Sequence, residues 1–310
     1  MGTGQNIFIN SSENRLRAFW RISFQFVLFL GAYLLPVFFL DLIDSGFYKT
    51  LFDEVITLLL VLLAIWISTR FFDKRKFSDI GFKFNRNWFA ELFQGFLIGT
   101  IVFLIVFLIE LSLSWISIDK FSYLDSPVEY SLKLIGRLFG FVCVAVMEEA
   151  FSRGYQLKNI SEGLFTKSTS SSKAVLRALL ISSILFGAMH AANPNITIIG
   201  IVNLSLIGGF YGYAYVATGS LALPIGIHTA WNFIQGNIFG FPVSGIEPQI
   251  SFINISQTGS LLVTGGDFGP EGGLLILFGV ASGILLINYL ICGNPLKFFI
   301  SKEIAIYKKL

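Results

Sequence analysis

The run FVCVAVMEEAFSR sets Glu148 beside Glu149, with Arg153 four residues beyond Glu149. Residues four apart share a helix face, and an acid placed before a base is the favourable order for a pair. Glu148 is turned about 100° from Glu149 on the same helix. One carboxylate can thus be tied to Arg153 while the other looks into a central cavity. Further on, SILFGAMH ends in His190, with Phe186 one turn before it and able to pack beside it. LPIGIHTAWN places His228 and Asn232 on one face, and His190 and His228 are the only two histidines of the chain. A carboxylate next to an imidazole in a partly dry site can take a proton from water, the task of a general base. A second imidazole and a carboxamide can donate hydrogen bonds to a developing oxyanion. These are parts for water-mediated amide hydrolysis without a Ser or Cys nucleophile. Glu148, His190 and His228 could equally hold a zinc ion, with the fourth position open for water. The residues leave both open: no cofactor, or Zn2+. Two further readings use the same groups. Glu149 and Arg153 can be a purely structural pair, and a proton- or ion-coupled transporter also places Glu, His and Asn inside its spans.

What must position these residues is a membrane fold. Of 310 residues, 54% are hydrophobic and only 13% charged, with 34 Phe; the mean hydropathy is +0.73. Soluble domains carry roughly twice that charge. The composition excludes a disordered chain, a nucleic-acid-binding domain and a disulfide scaffold, and it argues against an ordinary soluble enzyme. Cys143 and Cys292 sit far apart in apolar runs and read as small buried hydrophobes. Apolar stretches of spanning length fall at 20–40, 55–69, 89–115, 132–154, 174–192, 196–217, 221–241 and 273–292. The expected fold is an all-α polytopic membrane protein, with about eight transmembrane helices in a compact bundle around an intramembrane active site. Residues 1–310 form one transmembrane domain, and 132–241 is the core that carries the motifs. Gly95/Gly99, Gly136/Gly140, Gly208/Gly212, Gly236/Gly240 and Gly279/Gly283 have the four-residue spacing that lets helices approach closely. With both termini cytoplasmic, eighteen of the 22 Lys and Arg fall on the inner side. Asp41, Asp44, Asp53, Glu54, Asp119, Asp125, Glu129, Glu247, Asp267 and Glu271 then fall outside. The basic and aromatic segment 70–88 is expected at the cytoplasmic surface against anionic headgroups, and 242–271 is expected as an ordered outer loop. For Glu148 and His190 to meet, the fourth helix has to continue past Arg153 toward Leu164.

EEAFSR, FGAMH and HTAWN, in that order, resemble the Glu-Glu-x-x-x-Arg, Phe-x-x-x-His and His-x-x-x-Asn motifs of the type II CAAX prenyl endopeptidase family. These are the CPBP or Abi intramembrane proteases. VTGGDFGPEGGLL is similar to the segment before the last span of bacterial members. The resemblance is best over 132–241. It implies that Glu148 activates the attacking water with help from His190, and that His228 and Asn232 stabilise the oxyanion. Glu149 and Arg153 hold the site together, with Glu149 able to share the first role and Phe186 in support. It implies an endopeptidase acting on a peptide or protein at the membrane, with or without a lipid modification. The lipid bilayer is the other partner, no nucleic acid is involved, and the expected location is the plasma (inner) membrane. An ion-coupled transporter and a non-catalytic immunity or scaffold protein are the alternatives. Family members are described both as metalloproteases and as metal-independent, so zinc stays open.

Overall fold

The computed structural model describes residues 6–40, 46–122 and 127–308, the side chains of 37–40 excepted. Asp41, Asp44 and Asp125 lie outside the described residues. A two-stranded hairpin, β1 (Ile9–Asn10) with β2 (Arg15–Leu16), precedes α1 (Ala18–Leu40). Next come α2 (Phe47–Ile67), prolonged by a π-helical turn Ser68–Phe72, and α3 (Arg86–Ser112). After β3 (Ile116–Phe121), α4 (Pro127–Glu149) runs through a π-helical stretch, Ala150–Leu157, into α5 (Lys158–Leu164). Then α6 (Ser171–Met189), α7 (Ile198–Thr218) and α8 (Ala222–Phe233) follow, the last with a π-helical turn Ile234–Ile238. β4 (Ile253–Gln257), the short α9 (Leu261–Thr264) and α10 (Ile276–Cys292) complete the order.

Local chemistry sets several of these ends. The side chains of Asn85, Ser170 and Thr197 accept backbone N–H groups of the first turns of α3, α6 and α7. Gly219 and Gly293 close α7 and α10 in the left-handed conformation. Among the described residues, six helices are long and apolar enough to cross a membrane, and the chain is an integral membrane protein. The expected long spans over 221–241 and 273–292 are shorter. α8 keeps twelve α-helical residues and α10 seventeen. Every residue of α8 is buried, so protein rather than lipid satisfies its surroundings.

α8 lies against α3 at close range. A Cβ on Gly226 would meet the Leu92 carbonyl, and one on Gly95 the Leu223 carbonyl. Gly208 and Gly212 of α7 receive Phe186 and Leu179 of α6, and Gly279 and Gly283 of α10 receive Val102 and Phe210. The helical glycine pairs are therefore packing positions. Gly240 departs from that pattern: it follows the helical segment and turns the chain at φ +76°.

The two ends of the bundle differ. At one, β3 pairs antiparallel with β4, Ile116 opposite Gln257 and Phe121 opposite Ile253. At the other lies a buried ion cluster. Arg75 grips Glu162 with both terminal nitrogens, at 2.8 and 2.6 Å, and its Nε stands 3.0 Å from Asp73. Arg21 meets Asp73 at 3.1 Å and Arg15 meets Glu162 at 2.9 Å. Tyr307 covers Arg15, 3.4 Å from guanidinium carbon to ring centre. Burial works against the Arg75 charge, but Glu162 and Asp73 outweigh it and push its pKa above the ordinary value. Within 70–88, expected at the surface, Arg70, Phe71, Lys74, Lys76, Lys83, Phe84 and Arg86 are exposed, but part of the segment turns inward. Asp73, Arg75, Ile80 and Phe82 are buried, because the arginine finds two carboxylates inside the bundle. Two of the acids assigned to outer loops pack against the protein. Glu54 lies in α2 and pairs with Arg137 of α4 at 3.0 Å, and Glu271 is buried.

Candidate active site

α4 and its continuation carry the first motif. The helix is unbroken from Pro127 to Leu164, as the sequence required, but its hydrogen bonding widens to the π pattern at Ala150, directly after Glu149. Such widened turns are rare and occur frequently at functional sites. Gly154 sits in the widened stretch, where a Cβ would press on Leu221 and Ile80. Arg153 is fully buried. Its Nη1 donates to Glu149 Oε1 at 2.9 Å and its Nη2 to the Gly208 carbonyl of α7 at 2.8 Å. The guanidinium also lies 4.4 Å over the Phe186 ring.

α8 brings His228 to the same carboxylate. His228 Nδ1 is 2.9 Å from Glu149 Oε1, and its Nε2 is 4.0 Å from Glu148 Oε2. The two adjacent acids are thus divided as their angular offset required: Glu149 is sealed, whereas Glu148 keeps about a fifth of its side chain exposed. Tyr211 of α7 stacks on His228, ring centres 4.7 Å apart and planes at 20°. Asn232 lies one turn further along α8 and is buried.

His190 caps the end of α6. Its Nδ1 is 2.8 Å from the Phe186 carbonyl. A carbonyl only accepts, so this nitrogen carries the proton and Nε2 is the free one. Phe186 stands between the histidines, 4.8 Å from the His190 ring centre and 6.3 Å from that of His228. The structure therefore gathers Glu148, Glu149, Arg153, Phe186 and His228 by direct contact, with His190 across Phe186.

Residues 130–234 match the Rce1-like family, type II CAAX prenyl endopeptidases. The matched segment is similar to that family over about a third of the chain. It starts in α4 and ends at the close of α8, so it contains every residue of the three motifs. The family is one of CAAX-type membrane endopeptidases. The chain has no match among the curated proteins or the solved structures.

As placed, the donors within residues 130–234 do not form a zinc site. Four-coordinate zinc holds N and O ligands about 2.0–2.2 Å from the metal and so about 3.3–3.6 Å from one another, against 4.0 Å between Glu148 and His228. Among the described residues, no three of His, Cys, Asp and Glu stand close enough to share one ion. No step below is routed through a metal.

Sequence reasoning missed Glu271. Its buried carboxylate accepts from Trp231 of α8 at 3.0 Å and from the Ser244 hydroxyl at 2.8 Å. Burial pushes its pKa up, and Ser244, His190 and Trp231 each pull it back. The available signal was an acid inside GDFGPEGG, a glycine-rich run without a basic neighbour. Tyr211 carried no signal of its own among the many aromatics of the spans.

Proposed function

We propose that the chain is an intramembrane endopeptidase that hydrolyses a peptide bond of a lipidated or membrane-associated substrate. The observation that carries this reading is the division of labour between the two acids: Glu149 anchors His228 through Nδ1, which turns Nε2 toward Glu148. Four ångströms is too long for a direct hydrogen bond and suits a water held by both groups. Glu148 takes the proton as that water adds to the substrate carbonyl. His190, with Nε2 free, assists the transfer, and the proton goes on to the leaving amine. His228 donates from Nε2 to the oxyanion, and Asn232 donates from its carboxamide.

By the positive-inside rule, the end bearing Arg15, Arg75 and Tyr307 faces the cytoplasm of a plasma (inner) membrane. The substrate is a membrane-embedded peptide or protein. A farnesylated peptide and a signal-peptide-like peptide are the two probes. Reconstituted in liposomes, the protein is expected to cleave one of them. Glu148→Ala and His190→Ala are each expected to lower the rate by about 10²–10⁴-fold, the usual worth of a general base. Cleavage unchanged in both variants would overturn the mechanism.

A further inference from the structure

Glu271 lies beyond the Rce1-like segment and belongs to none of the three motifs. Its carboxylate receives three donors. Trp231 Nε1–H reaches Oε1 at 3.0 Å, and the Ser244 backbone N–H and hydroxyl reach Oε2 at 2.6 and 2.8 Å. A carboxylate is acceptor-only and suits three donors; a carboxamide would turn an NH2 group onto one of them. The backbone here is fixed separately. Asn203 of α7 donates Nδ2–H to the carbonyls of Glu271 and Gly273, at 2.9 and 2.8 Å. Gly269 turns the chain at φ +93°, where a Cβ would meet the Pro242 carbonyl. α7 therefore holds Glu271 in place before the side chain acts on anything else.

Two ties lead from that carboxylate to the histidines. Trp231 sits on α8 three residues after His228 and one before Asn232, edge-on to Tyr211, which stacks on His228. Ser244 leads the other way. Its carbonyl accepts from Asn193 Nδ2 at 3.0 Å, and the Asn193 N–H closes a turn on the His190 carbonyl at 3.0 Å.

We propose that Glu271 is a positioning residue: its carboxylate fixes the helix bearing His228 and Asn232 against the turn bearing His190, so that the two histidines keep one separation across Phe186. The proposal rests on the endopeptidase reading of the site. The chain has only two histidines, so 15N-histidine labelling of the full-length protein in micelles gives two ring spin systems, assigned with H190N. Glu271→Gln is expected to shift the His190 ring resonances. In liposomes carrying the farnesylated or signal-peptide-like probe, it is expected to lower kcat about 10–100-fold, as outer partners of catalytic groups do, with KM unchanged. Trp231→Phe and Ser244→Ala each remove one donor and are expected to give smaller effects of the same kind. They replace Glu271→Gln if that variant does not fold. Unmoved histidine resonances, or a rise in KM alone, overturn the proposal. If the wild type cleaves neither probe, the endopeptidase reading fails, and the ring resonances still decide the role of Glu271.

Discussion

Arg153 and His228 both bond one oxygen of Glu149, so removing either leaves a buried carboxylate short of a donor. Arg153→Met is expected to lower stability by about 3–5 kcal/mol, the usual cost of stripping one partner from a buried pair. The measurement is the unfolding midpoint in detergent. Adding Glu149→Gln should recover part of the loss, because the stranded charge is gone. Glu271 supplies a pH dependence. Burial raises its folded pKa above the ordinary 4.5, so the folded state keeps this proton to higher pH than the unfolded chain. Its contribution to stability then declines as pH rises from 4.5 through the folded value. The wild-type melting temperature should fall across that window relative to Glu271→Gln. The motif residues were legible because charges and histidines inside apolar runs have few reasons to be there. Their partners were less so. Spacing joined Glu149 to Arg153, but which imidazole nitrogen faces which acid depends on how α4 and α8 cross. Glu271 was lost among the loop acids because the fold of Ser244 over it is a long-range event.

The elements meet through missing side chains. A methyl group at Gly226 would strike the Leu92 carbonyl of α3. Gly226→Ala is expected to destabilise by about 1–3 kcal/mol, as overpacking does, and to lower activity by shifting His228 two residues away. A methyl group at Gly31 of α1 would meet nothing within 4 Å. Gly31→Ala should be neutral or stabilising by up to about 1 kcal/mol. Thermal unfolding and peptide cleavage of the two variants check the contrast. Apolar runs located the helices because spanning length is a strong constraint. They misplaced the start of α2 because Asp53 and Glu54 looked like loop residues. The partner of Glu54, Arg137, is far away in sequence. The widening at Ala150 left no mark on composition; the residues inside it, Gly154 and Arg153, meet Leu221, Ile80 and Gly208 from distant segments.

At the scale of the molecule, the ion cluster ties the N-terminal hairpin, the 73–76 loop, α5 and the C-terminal tail into one clasp. Tyr307→Leu removes the ring over Arg15 and the hydroxyl that donates to the Lys74 carbonyl at 3.0 Å. It is expected to lower stability by about 1–2 kcal/mol and to speed proteolysis of the 297–308 tail, followed by mass spectrometry. The clasp also has a consequence in time. A ribosome makes Arg15 early and Tyr307 about 290 residues later, roughly 15–60 s at ordinary rates of synthesis. Throughout that interval Arg15 lacks its aromatic cover, even once Glu162 has been made to pair with it. A chaperone or insertase that shields a cationic hairpin during translation has that interval in which to act.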